Sequence, residues 1–364
     1  MEMNLRHYLL DWLNTYGLGS LDAHDIRVST DERFPNLFNL KYGPMADKSE
    51  PIVCACRGAV VERVDNDGDH SPYFRLIAYA FDRFFNLGEP GAAEIDWSSA
   101  KVHEKYDGSL IKLFWNGLQW QVSTSGSVGG GGSVGDSGKT FEGLFWDTFR
   151  HMRYNINDLN TDYCYVFELC SPDNRIVVKY DEPMLRLLAV RDRSDDFNEL
   201  DLKWFNRHWS VAEGFLLTGP DAVFAAANAR GADHEGFIVS DANGNRIKVK
   251  SDVYVQMHRV RGNGEPDFSE LFLNDDLEEF LLHFPDYREK FDDLVDRLDD
   301  ISWFVEGFVT VYSKYSQKDF AGIVLENHPK VSSAMFGVRS GKYANFKEFV
   351  SQMKPKQLDA LLGL

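Results

Sequence analysis

The chain is predicted to be α+β, with antiparallel β-sheets flanked by helices in its first part and an all-α second part. Three observations predict this. Two runs rich in β-formers turn on Asn116-Gly117 and Asn243-Gly244, and Asn-Gly between such runs is the strongest short hairpin signal. Helical stripes of apolar residues stand before and between these hairpins. From about residue 268 onward only helical spacing is found, marked by Leu271, Leu277, Phe280, Leu281, Phe291, Leu294, Leu298, Ile301, Phe304 and Phe308. A length of 364 residues allows two domains. Gly262-Asn263-Gly264-Glu265-Pro266 is the natural join, giving domains 1–262 and 263–364.

Composition narrows the class further. Hydrophobic content of 43% and aromatic content of 14% describe a soluble protein with a phenylalanine-rich interior. No apolar run approaches the ~20 residues of a membrane helix. Met1-Glu2-Met3-Asn4-Leu5-Arg6-His7 is a mixed-charge opening rather than a secretory signal. Four cysteines in a chain of this length are no disulfide framework, so a reducing cytoplasm is expected. The formal charge of -18 argues against a general nucleic-acid coat, yet not against an enzyme whose phosphate contacts are local. Much of the excess lies between Glu265 and Asp300, where a solvated helical face is the simple reading.

Taken in order, residues 4–15 read as a surface helix with Leu5, Tyr8, Leu9, Trp12 and Leu13 on one stripe and Gly17 as its stop. Strands are expected at about 36–41 and 51–63, where Cys54 and Cys56 would share a face and Arg57 would need an anionic partner. Tyr73 to Tyr79 reads as the partner strand and runs into Phe81-Asp82-Arg83-Phe84-Phe85-Asn86. These aromatics beside Arg83 suit either core packing or stacking on a nucleotide.

Residues 125–138 are glycine-rich and end in Lys139-Thr140. A phosphate-binding P-loop is rejected on spacing, because Ser133 stands where its first glycine should be; a mobile surface loop is expected instead. A helix follows over about 140–153, with Phe141, Leu144, Phe145, Phe149 and Met152 buried. Tyr163–Cys170 is a strand, Ser171–Asn174 a turn, and Arg175–Tyr180 a returning strand. Residues 199–230 read as largely helical.

Four groups of residues carry chemistry. Lys105 stands beside the tight Asp107-Gly108 turn, just ahead of the first hairpin, where rigid structure can position it. Lys-x-Asp-Gly by itself is weak, since chance supplies it in about one chain in ten of this length. Glu168 lies in apolar company, and a carboxylate there needs a specific partner. Lys248 and Lys250 are two apart on a strand, so both leave one face. Such a pair is either solvated or turned towards an anion. A lysine acts as a nucleophile when nearby cations or desolvation favour its neutral form. The same two lysines could neutralise a transferring phosphate, and Glu235 and Glu168 could take a metal or a ribose hydroxyl.

Lys105-Tyr106-Asp107-Gly108-Ser109, Phe167-Glu168-Leu169, Glu235-Gly236-Phe237-Ile238-Val239 and Lys248-Val249-Lys250 resemble, in this order, the motifs of covalent nucleotidyltransferases, the superfamily of ligases and capping enzymes. Arg57-Gly58 and Arg83-Phe84-Phe85-Asn86 ahead of the lysine resemble the tRNA-repairing RNA ligase family of T-even phages. The resemblance spans roughly residues 50–255, and the tail shares only helix content and length. It implies an ATP-dependent RNA ligase that joins a 5′-phosphate to a 3′-hydroxyl through lysyl-AMP and RNA-adenylate. By carry-over, Lys105 is the nucleophile, Lys248 and Lys250 act on the α-phosphate, Glu168 holds the ribose and Glu235 a metal. Arg57, Arg83 and Phe85 would line the nucleotide or pyrophosphate end. The implied cofactors are ATP and Mg2+, with Mn2+ as a substitute. The implied partners are single-stranded or nicked-loop RNA, tRNA included, for a monomer in the cytoplasm of a bacterial or phage-infected cell. The glycine-rich loop is longer than the family's segment and is assigned no site residue.

Three alternatives stay open. A DNA ligase or a capping guanylyltransferase shares the lysine motif but carries an oligonucleotide-binding barrel after the two-lysine motif, where this chain reads as helical. A non-catalytic RNA- or nucleotide-binding module is the third.

Overall fold

The computed structural model describes residues 3–65, 72–135, 137–259 and 266–364. The chain forms two compact units, Met1–Leu18 with Val28–Lys41 and Lys48–Arg261, and Gly19–Arg27 with Tyr42–Asp47 and Gly262–Leu364. The helical unit thus takes in two N-terminal segments that a single cut at residue 262 places in the first domain. Met45 packs against its apolar cluster, Asp25 accepts the Met45 N–H at 2.8 Å, and Asn345 Nδ2 donates to the Asp22 carbonyl at 2.9 Å. The expected join at 262–265 lies outside the described residues.

Three sheets form. The first has the order Ile26–Asp31, Phe34–Tyr42, Arg57–Val64, Tyr73–Ala78. The second is antiparallel throughout, in the order Asn198–Glu199, Met184–Asp192, Tyr163–Cys170, Ser109–Trp115, Trp120–Thr124. The third has the order Gly214–Phe215, Lys101–Lys105, Gly236–Ser240, Arg246–Lys250, Phe85–Asn86, with only the last pair parallel. Both predicted Asn-Gly hairpins form, and Gly117 and Gly244 take φ of 100° and 88°, which glycine adopts without strain.

Each of the two larger sheets is covered on one face by a helix. Phe141–His151, capped by the Thr140 hydroxyl, buries Leu144, Phe145 and Phe149 against Ile111, Leu113, Tyr165, Phe167, Leu185 and Leu187. Each such side chain contributes about 1.5–3 kcal/mol by leaving water. Pro220–Ala229 seats Val223 and Ala227 on Val102, Phe237, Val239, Ile247 and Val249. Alternation then turns Leu110, Val166, Glu168 and Arg186 of the second sheet, and Lys105, Lys248 and Lys250 of the third, to the uncovered faces. Phe81 and Phe84 join these faces: they pack with Val166, Ala189 and Leu110, while the Arg246 guanidinium lies 4.4 Å from the Phe81 ring and Lys248 Nζ 5.8 Å from the Phe84 ring.

Several expectations are corrected. Pro51–Ala55 is a helical turn, not strand, because Pro51 sits at its first position with φ preset and Cys54 N–H bonds the Glu50 carbonyl; the strand begins at Arg57. Cys54 and Cys56 therefore do not share a strand face, and none of the four cysteines is in a disulfide. Arg175–Tyr180 does not return as a strand. The N–H groups of Val177 and Val178 are spent on the Asp107 carboxylate, and Met184–Asp192 pairs with Tyr163–Cys170 instead. Within 199–230 the α-helix is confined to Pro220–Ala229.

The glycine-rich loop, expected to be mobile, is folded down. At its entry Lys112 Nζ donates to the carbonyl of Thr124, the last residue of the preceding strand; within the loop Asn39 Nδ2 donates to the Ser125 carbonyl, Ser29 Oγ to that of Gly126, and the Gly130 and Gly132 carbonyls accept from the Glu142 and Phe141 N–H groups. Val128 and Val134 of this loop are buried. Lys112 itself is fully buried, which pushes its pKa down to about 7.

The helical unit is built from helices between Phe268 and Leu362, with no strand after Lys250 among the described residues. Its core holds Leu271, Leu277, Phe280, Leu281, Phe291, Leu294 and Leu298, as the spacing predicts, whereas Phe304 is exposed. Among the described residues no helix is long and apolar enough to cross a membrane.

Candidate active site

The third sheet sets three residues in a row across neighbouring strands, Lys105 opposite Gly236 and Gly236 opposite Lys250. Glu235 immediately precedes this row and is buried. Its Oε2 lies 2.6 Å from Lys105 Nζ and its Oε1 3.3 Å from Lys250 Nζ. One carboxylate thus bridges two ammonium groups, so Lys250 is not a solvated surface charge. Gly236 permits the approach: its φ is 147°, and a Cβ there would stand 2.0 Å from the Val249 carbonyl oxygen.

Lys105 is the last residue of its strand, not part of the loop ahead of the hairpin. Tyr106-Asp107-Gly108 carries the chain from the third sheet into Ser109 of the second. Asp107 fixes this crossing from a buried position. Its Oδ1 accepts from the Tyr254 hydroxyl at 2.9 Å, its Oδ2 accepts from Val177 and Val178 N–H at 2.8 and 2.7 Å, and its own N–H donates to the Tyr180 hydroxyl at 3.0 Å. Gly108 lets the crossing touch the Glu168 strand, since a Cβ would stand 2.5 Å from the Leu169 carbonyl oxygen. Tyr254 also places its ring 5.5 Å from Lys250 Nζ. Sequence reasoning missed Tyr254, whose only local signal is its place at the start of the helix after the two-lysine strand. It also left Asp107 without a role of its own.

Glu168 lies opposite Leu110 on one side and Arg186 on the other. No hydrogen-bond partner is found for its carboxylate among the described residues, and the specific partner expected for it is replaced by charge at longer range. Burial pushes its pKa up to about 8, assisted by the negative charges of Glu235 and Asp107 and opposed by Lys105 and Arg57. The folded carboxyl therefore keeps its proton between about pH 4.5 and 8 while the unfolded one has lost it, so stability falls as pH rises through that window. Glu168→Gln is expected to remove this slope. Calorimetry without nucleotide should find the variant's Tm roughly 3 °C or more above wild type at pH 9 and the two equal at pH 5. A constant offset at both pH values would contradict the assignment.

The other sequence candidates are arranged less tightly. Arg57 lies 4.9 Å from the Phe84 ring, which Lys248 also approaches. Arg83 is buried with its guanidinium 4.8 Å from the Phe85 ring and 3.8 Å from Glu89. Phe85-Asn86 joins the edge of the third sheet beside Ile247-Lys248, and Arg83 and Phe85 form a group with Glu89 next to that strand.

Among the described residues no group of three or more His, Cys, Asp or Glu could hold a metal ion. Both Glu235 oxygens are on lysines and both Asp107 oxygens are filled. The donor set fits a magnesium ion only as one that arrives with substrate phosphates, keeps waters and takes one or two carboxylates from the protein.

A lysine at a strand end and a buried carboxylate that bridges it to a second lysine two strands away in the same row form a compact charged site in which an anion can take the place of the carboxylate. A family model for RNA ligase matches residues 55–254, which include every site residue named above from Arg57 to Tyr254. The chain belongs to the RNA ligase family. An RNA ligase of Rhodothermus phage RM378 is 26% identical over 427 aligned positions, covering 97% of this chain and 94% of that protein. A protein of Autographa californica nuclear polyhedrosis virus, described as a bifunctional polynucleotide kinase/RNA ligase, is 30% identical over 295 positions, covering 75% of this chain and 39% of its own length. Among solved structures, an archaeal ATP-dependent RNA ligase aligns over 88% of this chain and 75% of its own, with 13% identity and a TM-score of 0.42.

Proposed function

We propose that this RNA ligase uses ATP and a divalent ion, with Lys105 as the covalent carrier of AMP. The observation that carries the reading is the grip of Lys105 and Lys250 on the two oxygens of Glu235. Three charged groups held at this spacing form a site in which phosphate can replace carboxylate between the lysines. Lys105 Nζ, relieved of a proton, forms a bond to the α-phosphorus as the bond to pyrophosphate breaks. A 5′-phosphate oxygen of RNA then takes the AMP, and the lysine leaves as the amine. A 3′-hydroxyl finally attacks the RNA phosphorus, and AMP departs. Lys248 and Lys250 offset the charge that develops on the transferring phosphate, where catalysis is largely electrostatic. Glu168 takes a ribose hydroxyl, Glu235 the divalent ion that accompanies the nucleotide, and Arg57, Arg83 and Phe85 the nucleotide or pyrophosphate end.

The substrate is single-stranded or nicked-loop RNA, with broken tRNA among the candidates. The lack of strands after Lys250 among the described residues supports this over a DNA ligase or capping enzyme with a terminal barrel. The test is ligation of 5′-phosphorylated single-stranded RNA with ATP and Mg2+, beside the equivalent DNA and a nicked duplex. Joining of RNA alone is expected; preferential sealing of nicked DNA, or labelling by GTP rather than ATP, would favour the sister enzymes. Lys248→Ala and Lys250→Ala are each expected to slow adduct formation by about 100-fold or more. Wild-type rates in both would mean that neither acts on phosphate.

A further inference from the structure

We propose that Glu104 and His234 are positioning residues for the transfer of AMP to Lys105: their contact, on the face of the third sheet opposite the nucleophile, holds Glu235 in place beside it. The inference rests on the nucleotide site proposed above and adds to it two residues that none of its motifs contains.

Two pairs of neighbours meet at the row that carries the nucleophile. Glu104-Lys105 ends one strand, and His234-Glu235 stands just ahead of the next. The two pairs are joined twice. On the uncovered face Lys105 Nζ lies 2.6 Å from Glu235 Oε2. Alternation turns Glu104 to the other face, where it is buried with Val102 and with Phe237, its opposite in register. There its Oε1 lies 3.0 Å from His234 Nδ1. Acid and base thus exchange places between the two contacts.

Arg230 completes the group. It caps the helix Pro220–Ala229, bonds Glu104 Oε2 and lies 5.1 and 5.4 Å from the Phe215 and Phe237 rings. Its Nη2 is 3.5 Å from His234 Nε2. A guanidinium only donates, so Nε2 accepts and the hydrogen on Nδ1 bonds Glu104. Both Glu104 oxygens are thereby used, and the imidazole is fixed in one orientation.

Glu235 needs such a tie because it lies outside the strand ladder, which begins at Gly236. The bond from Ser251 N–H to the Glu235 carbonyl, 3.1 Å, secures it on the side of Lys250. His234 secures it on the side of Lys105. In the reaction proposed above, the Glu235 carboxylate gives way to phosphate between the lysines and then serves the divalent ion. Both arrangements require its main chain to stay where it is. Misplacing a reacting group by about 1 Å costs on the order of 100-fold in rate.

The test compares two amides at position 234. Asparagine sets its N–H where Nδ1 stands and can bond Glu104, whereas glutamine sets its amide further out, near Nε2. The probe is α-labelled ATP with Mg2+, read as label on the protein. His234→Gln is expected to lower the maximal rate of adduct formation about 30-fold, with KM for ATP within about threefold of wild type. His234→Asn should stay within about threefold on both measures. Glu104→Gln should slow the reaction as His234→Gln does, and the double variant should be no slower than the slower single one, because all three lose the same contact. Equal rates in His234→Asn and His234→Gln, whether normal or slow, would overturn the assignment. So would a loss confined to KM, or losses that multiply in the double variant. A wild-type protein that takes no label from ATP would overturn the underlying nucleotide site instead, so the two failures are distinguishable.

Discussion

Lys105→Ala is expected to abolish the protein–AMP adduct, lowering its formation by at least about 1,000-fold, because no other amine can take the position of a covalent nucleophile. Lys250 is the nearest alternative, yet it approaches Glu235 from the far side of the row, with Gly236 between it and Lys105. Lys105→Arg should fail equally. It preserves the positive charge 2.6 Å from Glu235, and so the local ion pair, but supplies no attacking amine. The measurement is transfer of label from α-labelled ATP to protein. Sealing of RNA that is already adenylated needs no new lysyl bond, so both variants should retain part of that step. Persistent labelling of Lys105→Ala would sink the nucleophile assignment.

The second large effect is expected from a residue with no side chain. Gly236→Ala would bring a Cβ to 2.0 Å from the Val249 oxygen and 2.7 Å from Lys250 Cα, at a φ of 147° that other residues avoid. Both obstacles are backbone, so neither can rotate away. A loss of about 3 kcal/mol or more is expected, together with loss of adduct formation, since the strand that must yield carries Lys248 and Lys250. Gly244→Ala is the control. It also has positive φ, 88°, but nothing lies within 4 Å of its Cβ, so a cost of about 1–2 kcal/mol with activity retained is expected. Denaturant melts and adenylylation assays on the two variants check this. Equal stability of the two would show that the close approach at Gly236 is relieved without cost.

The two positions illustrate what is legible in a chain. Local signals served well where one element decides the outcome. Asn-Gly turns defined both hairpins, the apolar stripe at Leu144, Phe145 and Phe149 defined a helix, and the two-residue spacing of Lys248 and Lys250 placed both on one face. They failed where distant partners compete for the backbone. Arg175–Tyr180 has the residues of a strand, but its N–H groups are taken by Asp107, about 70 positions earlier. Pro51-Ile52-Val53-Cys54-Ala55 is rich in β-formers, yet a proline at its first position and burial of Ile52, Val53 and Ala55 favour a helical turn. The glycine-rich loop looks unstructured by composition, but partners from the strands of Ser29 and Asn39 and from the helix that begins at Phe141 hold it.

Sequence alone determined the residue types of the site and the faces from which they project, because strand alternation and turn chemistry are local properties. It also sufficed for the family. Tertiary structure decided which strands are neighbours, since pairing depends on long-range hydrogen bonds that no local pattern encodes. That choice put Glu235 between Lys105 and Lys250, made Lys105 the end of one sheet rather than the approach to another, and set Arg186 beside Glu168.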